Sequence, residues 1–510
     1  MTRRKFMETG LAGVASASVV AAACKSKPAA APGGPRRRPN VVFILTDDQD
    51  FNTIGCYGER PLYTPHQDRL AAEGVRFNRS YTTTAVCTPS RYGCLTGQFP
   101  SRCPHPRFRN GNPDGAQTYV GFNTPLPPEL MSLPRTLKEA GYKTGMVGKW
   151  HLGTVHRDGA GFEGSFARDI DPRDADLNKT LERHQEKGTE LIRACGFDYS
   201  SRIYWNNPGA YRIDALKTHN MEWLAEGALS FMDANKNDPF FLLVSTTLHH
   251  VPHPQGSLRD DARISMGGYL DRAPDCMPPR GEIIGRVKAE GFGPGTAYCT
   301  YLDDGVGAIL RKLDELGVAD DTVVVQFSDH QTPDKASLYE PGVRAPMLLR
   351  YPRGVEAGQV CDRLVQNLDI APTILDICGV EPPGDVRIDG KSLLPMLDGS
   401  RDAIHEALFF EIGKTRAVCT ERHKYLAVRY PTPPQNNDER FHGPLKFLQA
   451  NVQLRHPRYY DTDQLYDLVD DPDETTNLAA VEPERLRELQ DRMGAWLATF
   501  GDHPFGELHG

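Results

Sequence analysis

Three short, nearly continuous apolar runs and one weaker strand-like segment recur along the chain, and each one leads into a cluster of polar, chemically reactive residues. The runs cover residues 41–45, 240–244 and 323–327, and the weaker segment covers residues 143–147. The clusters that follow them contain Asp47-Asp48, Lys149-Trp150-His151, His249-His250 and Asp329-His330. Apolar runs of this length are typical of strands that are buried on both faces, as they are in parallel sheets.

Helix-like segments separate the apolar runs. Thr64-Pro65 begins one that Gly74 ends, and others are predicted over residues 133–140, 213–235 and 301–316. This alternation predicts an α/β fold with a large, mostly parallel mixed sheet that is covered by helices on both faces. Ligands bind such sheets beyond the carboxyl ends of the strands, so the four polar clusters should meet at one edge. The pattern therefore favours an active site at that edge.

The pattern changes after about residue 398. Short strand candidates at 408–411, 417–420 and 424–428 precede a polar loop over 431–440 and an amphipathic helix over 482–500. We therefore predict a main domain over residues 38–399 and a smaller α+β subdomain over residues 400–510.

The charge balance argues against a nucleic-acid partner. The 510 residues carry a formal net charge of −8, and the chain after its first 40 residues contains no long Lys/Arg run. A nucleic-acid binder needs a basic stripe, so an anionic ligand would have to be held by a local site.

The first 37 residues are typical of an export signal followed by a tether. Arg3-Arg4 and the small-residue apolar stretch over 10–23 match a twin-arginine signal. Three alanines precede Cys24, which offers either a cleavage site or a lipidated cysteine. No later segment is long and apolar enough to span a bilayer. We expect a periplasmic or cell-surface protein whose membrane contact would be a lipid on Cys24.

Eleven cysteines raise the question of disulfides in an exported chain. Apart from Cys24 and Cys87, nine remain, an odd number without C-x-x-C spacing. We expect most of them to be buried thiols, and Cys94 with Cys103 is the one pair for which a disulfide stays open.

Two of the strand-end clusters consist of metal-ligand residue types. Asp47, Asp48, Asp329 and His330 would repel one another at a single point unless a cation lay between them. Mostly oxygen ligation favours Ca²⁺ or Mg²⁺, and one imidazole leaves Mn²⁺ or Zn²⁺ open. For a single aspartate, capping of a turn would be the simpler explanation.

Cys87 lies where a helix is predicted to begin, since Pro89 suits a first turn. Backbone N–H groups at a helix N-terminus attract anions, and Arg91 adds a guanidinium. A thiolate there could be a nucleophile. Cysteine phosphatases, however, place their arginine six positions after the cysteine, whereas here it is four.

Cys87-Thr88-Pro89-Ser90-Arg91 resembles the C-x-P-S-R signature of type I sulfatases, whose cysteine is oxidised to formylglycine. Further motifs follow the order of that family over about residues 39–478. They are Asp47-Asp48, Gly148-Lys149-Trp150-His151, His250-Val251-Pro252, Ser328-Asp329-His330, the segment 335–344, and Leu465-Tyr466-Asp467-Leu468 with Asn477-Leu478. The chain is therefore similar to formylglycine-dependent sulfatases, which implies the alkaline-phosphatase-like fold.

The resemblance also implies a nucleophile, a metal and a set of roles. Formylglycine made from Cys87 by a maturation enzyme would attack sulfur and would ligate one Ca²⁺, with Mg²⁺ or Mn²⁺ as alternatives. The other implied metal ligands are Asp47, Asp48, Asp329 and His330. Arg91 would hold the aldehyde hydrate, while Lys149 and Lys335 would bind the sulfate oxygens. His151 would take a proton from the hydrate, and His250 would protonate the leaving alcohol.

Three local assignments have alternatives. His249 and His253 flank His250 and could take its place. Tyr204-Trp205-Asn206 could stack on a sugar ring or pack in the core. The arginine-rich stretch over 101–110 could be a lid over an anionic glycan or a solvated loop.

The leading hypothesis is an exported sulfatase that acts on sulfated carbohydrate. An N-sulfoglucosamine-type sulfohydrolase and a phosphomonoesterase or phosphonate hydrolase on the same superfold are the enzymatic alternatives. A lipoprotein that binds sulfated glycan without turnover is the non-enzymatic one. The sequence leaves the sugar, the sulfate position and endo or exo action open.

Overall fold

The computed structural model describes residues 38–58, 60–113, 115, 117–153, 166–430 and 444–501. The predicted export signal, Cys24 and the tether lie outside the described residues, as does the polar loop predicted at 431–440. The described residues from 38 onward belong to one compact unit.

Short strands and helices alternate along the described part of the chain. In chain order, the strands are β1 Asn40–Asp47, β2 Val75–Phe77, β3 Ser80–Tyr81, β4 Lys143–Lys149, β5 Tyr199–Tyr204, β6 Phe240–His249, β7 Ile264–Ser265, β8 Gly268–Tyr269, β9 Thr322–Ser328, β10 Met347–Arg350, β11 Gln359–Cys361, β12 Val365–Gln366, β13 Leu408–Ile412, β14 Thr415–Cys419, β15 His423–Val428 and β16 Asp463–Asp467. The helices are α1 Pro65–Ala72, α2 Cys87–Thr96, α3 Pro106–Gly111, α4 Leu133–Glu139, α5 Ala175–Ala194, α6 Met221–Asn235, α7 Ile283–Ala289, α8 Ala297–Glu315, α9 Glu340–Val343, α10 Ile370–Cys378, α11 Leu394–Leu397, α12 Pro444–Arg455 and α13 Pro483–Leu497.

A mixed eight-stranded sheet forms the centre of the molecule, in the order β11-β2-β10-β9-β1-β6-β4-β5. The five strands from β9 to β5 run parallel, and β10 is antiparallel to both of its neighbours. The predicted fold class is thereby confirmed. The four strands that carry the polar clusters, β9, β1, β6 and β4, are adjacent in the sheet, so their carboxyl ends form one continuous edge.

Helices cover both faces of this sheet because successive strand residues point to opposite sides. Val41, Phe43 and Leu45 of β1 pack in the core on one face with residues of α2, α4 and α10. Val42 and Ile44 pack in the core on the other face with residues of α1, α6 and α8. The continuous apolar runs in the sequence reflect this two-sided burial.

The helix predicted over 213–235 is shorter than expected. Residues 213–220 contain a 3₁₀ turn at Ala215–Lys217, and the α-helix begins at Met221. Asn220 sets this boundary, since its side chain accepts a hydrogen bond of 3.0 Å from the backbone N–H of Trp223. The helices predicted at 133–140 and 301–316 are present as α4 and α8.

A second, antiparallel sheet of the order β13-β14-β15-β16 follows the main sheet in the chain. One of its faces packs against α13 through Leu489, Met493 and Trp496, and the other shares a core with Leu445 and Val452 of α12. This sheet lies within the predicted α+β region, and the predicted boundary at residue 399 stays a prediction.

All ten cysteines in the part of the chain that the structure describes are free thiols. The disulfide considered between Cys94 and Cys103 is absent: Cys94 Sγ accepts from Asn367 Nδ2 at 3.7 Å, whereas Cys103 Sγ donates to the carbonyl of Pro125 at 3.4 Å. Among the described helices, none has the length and apolar character needed to cross a bilayer.

Candidate active site

The carboxyl ends of four neighbouring strands bring the predicted site residues together. Asp47 is the last residue of β1 and Asp48 follows it, while Asp329 and His330 follow β9. Lys149 ends β4, and His250 follows β6 directly. Cys87 is the first residue of α2 and faces the same edge, while Lys335 reaches it from the segment after β9.

Backbone conformation helps to direct two of these side chains. Asp48 and His151 follow their strands with φ angles of 53° and 50°, in the left-handed region that is unfavourable for residues with a Cβ. Such strain persists where surrounding structure enforces it, which is common at functional sites.

Asp47, Cys87, Asp329 and His330 form a cluster that could hold a metal ion, with one ligand atom from each lying within 4.8 Å of the others. Cys87 Sγ is 3.3 Å from His330 Nε2 and 3.7 Å from Asp47 Oδ1. His330 Nδ1 lies 3.0 Å from the carbonyl of Gln331, which can only accept a hydrogen bond. In the neutral imidazole, Nε2 is therefore the nitrogen with the lone pair, and it faces the cluster. Buried carboxylates and one imidazole are a donor set that fits a hard divalent cation.

The electrostatics of the cluster favour bound positive charge. Burial alone would raise the pKa of Asp47, but Lys149, His250 and Arg91 hold it well below its usual value. Burial alone would lower the pKa of His330, and the carboxylate of Asp329 raises it instead to about 9. We call the buried strand-end residues around Asp47, Asp48 and Asp329 the floor of the site. Ionised carboxylates lie close together there, away from water.

Arg91 joins the two strands that supply these carboxylates. Its guanidinium is fully buried and donates to Asp329 Oδ2 at 3.0 Å, to Asp47 Oδ2 at 3.1 Å and to Ser245 Oγ at 2.6 Å. The planar guanidinium directs its N–H donors so that they reach two carboxylates at once. Its predicted role toward the modified side chain of residue 87 stays a prediction.

Both predicted sulfate-binding lysines lie against the acidic floor. Lys149 Nζ contacts Asp47 Oδ2 and donates to Asn207 Oδ1 at 2.7 Å. Lys335 Nζ donates to Asp48 Oδ1 at 2.9 Å.

A cavity of about 710 Å³ opens above this floor, and Cys87, His151 and His250 line it. His250 Nε2 lies 2.8 Å from Asn207 Nδ2 and 3.5 Å from Asp48 Oδ2. Removal from water lowers the pKa of His250 although Asp48 opposes the shift. Removal from water and the charge of Lys149 place the pKa of His151 well below 6.5.

The three neighbouring histidines, His249, His250 and His253, differ clearly in their positions relative to the cavity. His250 lines the cavity, whereas His249 is buried against the edge of the Tyr298 ring and His253 faces Asp260 at 3.7 Å. His250 is thus the one histidine of the three that contacts this cavity, which agrees with its proposed place in the site.

The aromatic pair Tyr204-Trp205 does not form a sugar platform. Both side chains are buried in the core, and only Asn206 of that triplet lines the cavity. In the stretch over 101–110, Ser101 bonds the buried Glu411 and Arg102 pairs with Asp389, so its first part is not a solvated loop. Arg107 lines the cavity, so the alternative of a lid over an anionic glycan stays a prediction.

Asn207 is a site residue that no motif in the sequence indicates, although it bonds both Lys149 and His250. It follows β5, whose mixed sequence Tyr199–Tyr204 hid the strand. Recognising a fifth parallel strand would have placed Asn207 at the same edge of the sheet.

Comparison with known proteins gives a consistent result. Residues 39–380 match the family model described as Sulfatase. The N-acetylgalactosamine-6-O-sulfatase of Bacteroides thetaiotaomicron is 27% identical over 545 residues, covering 92% of this chain and 95% of that protein. Human arylsulfatase A is 28% identical over 499 residues, covering 89% and 87%.

Two solved structures share the fold. One, from work on the metabolism of multiple glycosaminoglycans by Bacteroides thetaiotaomicron, has a TM-score of 0.63 at 23% identity and covers 90% of this chain and 99% of its own. The other is in complex with its substrate D-glucosamine-2-N,6-O-disulfate and has a TM-score of 0.57 at 22% identity, covering 91% and 99%.

Proposed function

Because the chain belongs to the sulfatase family, and is thus a sulfuric ester hydrolase, we propose that it removes sulfate from carbohydrates after export, with formylglycine made from Cys87 as its nucleophile. The carbohydrate substrate is supported by relatives named as amino-sugar sulfatases and by the disulfated glucosamine bound to a protein of the same fold.

The observation that carries the proposal is the position of Cys87. Its side chain lines the cavity at the point where it also contacts His330 and Asp47. A structural thiol packs among apolar groups and needs no such neighbours. A side chain that both faces substrate and touches a metal-type cluster is placed for chemistry.

The donor set supports a single divalent cation held by Asp47, Asp48, Asp329, His330 and residue 87. Hard oxygen donors favour Ca²⁺, with Mg²⁺ or Mn²⁺ as alternatives. When bound, the cation supplies Lewis-acid chemistry to the oxygen atoms beside it.

The chain's own residues divide the remaining work. Formylglycine supplies two hydroxyl groups on one carbon once hydrated. Lys149 and Lys335 would bind the sulfate oxygens as compact charges, which suit a tetrahedral anion. His250 would donate a proton to the departing alcohol oxygen, and the carboxylate of Asp48, 3.5 Å from its Nε2, favours the protonated form. His151, neutral at pH 7, would accept a proton at residue 87.

A screen with defined esters tests this function. The protein is produced together with a formylglycine-generating enzyme and is offered O-sulfated and N-sulfated saccharides, with the matching phosphate esters as controls. Release of sulfate from one saccharide class, and much slower release of phosphate, is the expected result. Faster turnover of phosphate esters would instead identify a phosphohydrolase.

The proposal that the protein is exported rests on the sequence alone, and cell fractionation tests it. We expect the protein outside the cytoplasm, and a Cys24→Ser variant in the soluble fraction if a lipid is attached there. Retention in the cytoplasm after Arg3 and Arg4 are replaced by lysine would identify the twin-arginine route.

A further inference from the structure

The cavity extends well beyond the groups that would hold a sulfate ester. Its volume of about 710 Å³ is that of a site for a ligand of drug size, and one sulfate group fills only a small part of it. The remainder therefore surrounds the part of the substrate that carries the sulfate. We call its lining the outer wall, made of Arg107, Phe122, Pro125, Val251, Pro333, Leu448, Asn451, Leu454 and Arg455.

Helix α12 contributes four of these residues from one of its faces. Leu448, Asn451 and Arg455 are spaced three and four positions apart, so they lie along one side of the helix, with Leu454 beside them. Leu445 and Val452 lie next to this side and are buried in the core that α12 shares with the second sheet, and Leu448 packs against the same core. The helix is thus anchored by residues that border those lining the cavity.

Arg455 is held in place on this wall by a buried carboxylate. Its Nε donates to Asp334 Oδ1 at 2.6 Å, its Nη2 also contacts that oxygen, and Asp334 Oδ2 lies 3.0 Å from His456 Nε2. The ring of His456 stacks on Tyr339 with centroids 3.8 Å apart. Because Nε and Nη2 of Arg455 contact Asp334, its Nη1 group can donate a hydrogen bond to a second anion.

The outer wall presents a guanidinium but, among the described residues, no carboxylate. The one carboxylate among the described residues that line the cavity is Asp48, which lies on the floor and bonds Lys335. Asp334, which pairs with Arg455, does not line the cavity. A ligand that extends along this wall therefore meets the guanidinium of Arg455, which suits an anionic group.

Resting on the proposed function, we propose that Arg455 determines specificity by binding a second anionic group of the substrate. That group is a carboxylate or a second sulfate on the sugar unit next to the one whose sulfate ester is cleaved. Val251 and Leu454, whose side chains are 64% and 82% exposed, provide apolar contact for the sugar faces. The preferred substrate is a polyanionic saccharide.

The test compares three disaccharides that share the same sulfated sugar, whose neighbour is a neutral hexose, a hexuronate or a second sulfated hexose. The variant is Arg455→Gln. The matched control is Arg458→Gln, since Arg458 lies just beyond α12, is 71% exposed, pairs with Asp461 and does not line the cavity. Circular dichroism and thermal melting establish that each variant folds.

Wild type should prefer one or both anionic disaccharides over the neutral one, as measured by kcat/KM. Arg455→Gln should reduce that preference roughly 10- to 100-fold, mainly through KM, because it removes a hydrogen bond between two charged groups. Arg458→Gln should keep it. The anionic disaccharide that Arg455→Gln no longer prefers over the neutral one identifies the bound anion as a carboxylate or a sulfate.

A measurement on the unaltered enzyme guards against a variant that does not fold. The preference for the anionic disaccharide should fall as ionic strength rises from about 20 to 500 mM, because salt screens partly exposed charges. An unchanged preference in Arg455→Gln, or no anionic preference in wild type, overturns the inference. Absence of turnover on all three disaccharides, and on aryl sulfates, would refute the proposed function instead.

Discussion

The floor and the outer wall of the cavity are built in different ways. The floor consists of buried residues at the ends of adjacent parallel strands, with Asp47, Arg91, Asp329 and Lys149 locked into ion pairs. The outer wall is assembled from loops and from α12, and several of its side chains are exposed. Groups that must be positioned to a fraction of an ångström lie on rigid strands, whereas groups that select a substrate lie on elements that can vary without disturbing them.

The largest expected effect comes from the floor. Cys87→Ala should remove turnover of every sulfate ester by at least about 10⁴-fold, because no other group can replace the nucleophile. The fold should survive, since alanine suits the first turn of α2. Mass spectrometry of the peptide containing residue 87 should show formylglycine in the active wild type. Cys361→Ala, at the far edge of the sheet, is the control and should keep full activity.

Removal of the metal should be nearly as damaging, and it tests whether the acidic cluster is a binding site. Chelation should bring activity to background and lower the melting temperature. Added Ca²⁺ at a hundred times its Kd should restore about 2.7 kcal/mol of stability. Calorimetry across a series of Ca²⁺, Mg²⁺ and Mn²⁺ identifies the ion. Full activity of exhaustively chelated enzyme would contradict the assignment.

His250→Ala tests a residue at the boundary between floor and wall. Loss of a general acid costs roughly 10²–10⁴-fold for sugar sulfates, whose alkoxide leaves poorly. Aryl sulfates, whose phenolate leaves unaided, should lose far less. Measurement of kcat for both classes decides the role, and an equal loss would show that His250 does not protonate the leaving group.

The turn that carries His250 should also make the protein sensitive to acid. Burial lowers the pKa values of both His219 and His249 to about 3. The unfolded chain binds protons at these residues below about pH 6.5 and the folded chain does not, so stability should fall as pH drops from about 6.5 toward 3. Each histidine contributes about 1.4 kcal/mol per pH unit in that window.

His249→Phe isolates one of these contributions. The ring nitrogens of His249 have no hydrogen-bond partner among the described atoms, and phenylalanine keeps the edge contact with Tyr298. Denaturation at pH 6, 5 and 4 should show a slope reduced by up to about 1.4 kcal/mol per unit. An unchanged slope would mean that His249 is protonated in the folded protein.

The smallest effect is expected on the outer wall. Leu454→Ser should raise KM for saccharides only a few-fold, because the exposed side chain loses only part of the roughly 1.5–3 kcal/mol of a fully buried leucine. Its kcat should not change, since the helix is anchored by the buried residues Leu445 and Val452. A loss in kcat as large as that of His250→Ala would contradict the assignment of substrate binding to the outer wall and of the chemical step to the floor.

The difference between floor and wall also decided what could be predicted from the sequence. The strands β1, β6 and β9 are signalled by apolar runs, because burial on both faces favours apolar residues at most positions, whereas β4 is signalled less clearly. Their polar clusters therefore stand out, and the parallel arrangement places them together. In contrast, the apolar residues Leu445, Leu448 and Val452 of α12 form one stripe that packs in the core, and Leu448 of that stripe also lines the cavity. The pattern therefore does not reveal which residues of the helix face the cavity. Asp334 and Arg455 lie 121 residues apart and carry no motif.

The burial of Cys87 would set the time at which the proposed modification takes place. Only 1% of this residue is exposed, at the bottom of the cavity. A maturation enzyme would therefore have to reach the cysteine while the chain is still open, before folding buries it. For a chain that crosses the membrane already folded, the decision between an active and an inactive molecule would be made in the cytoplasm, soon after synthesis.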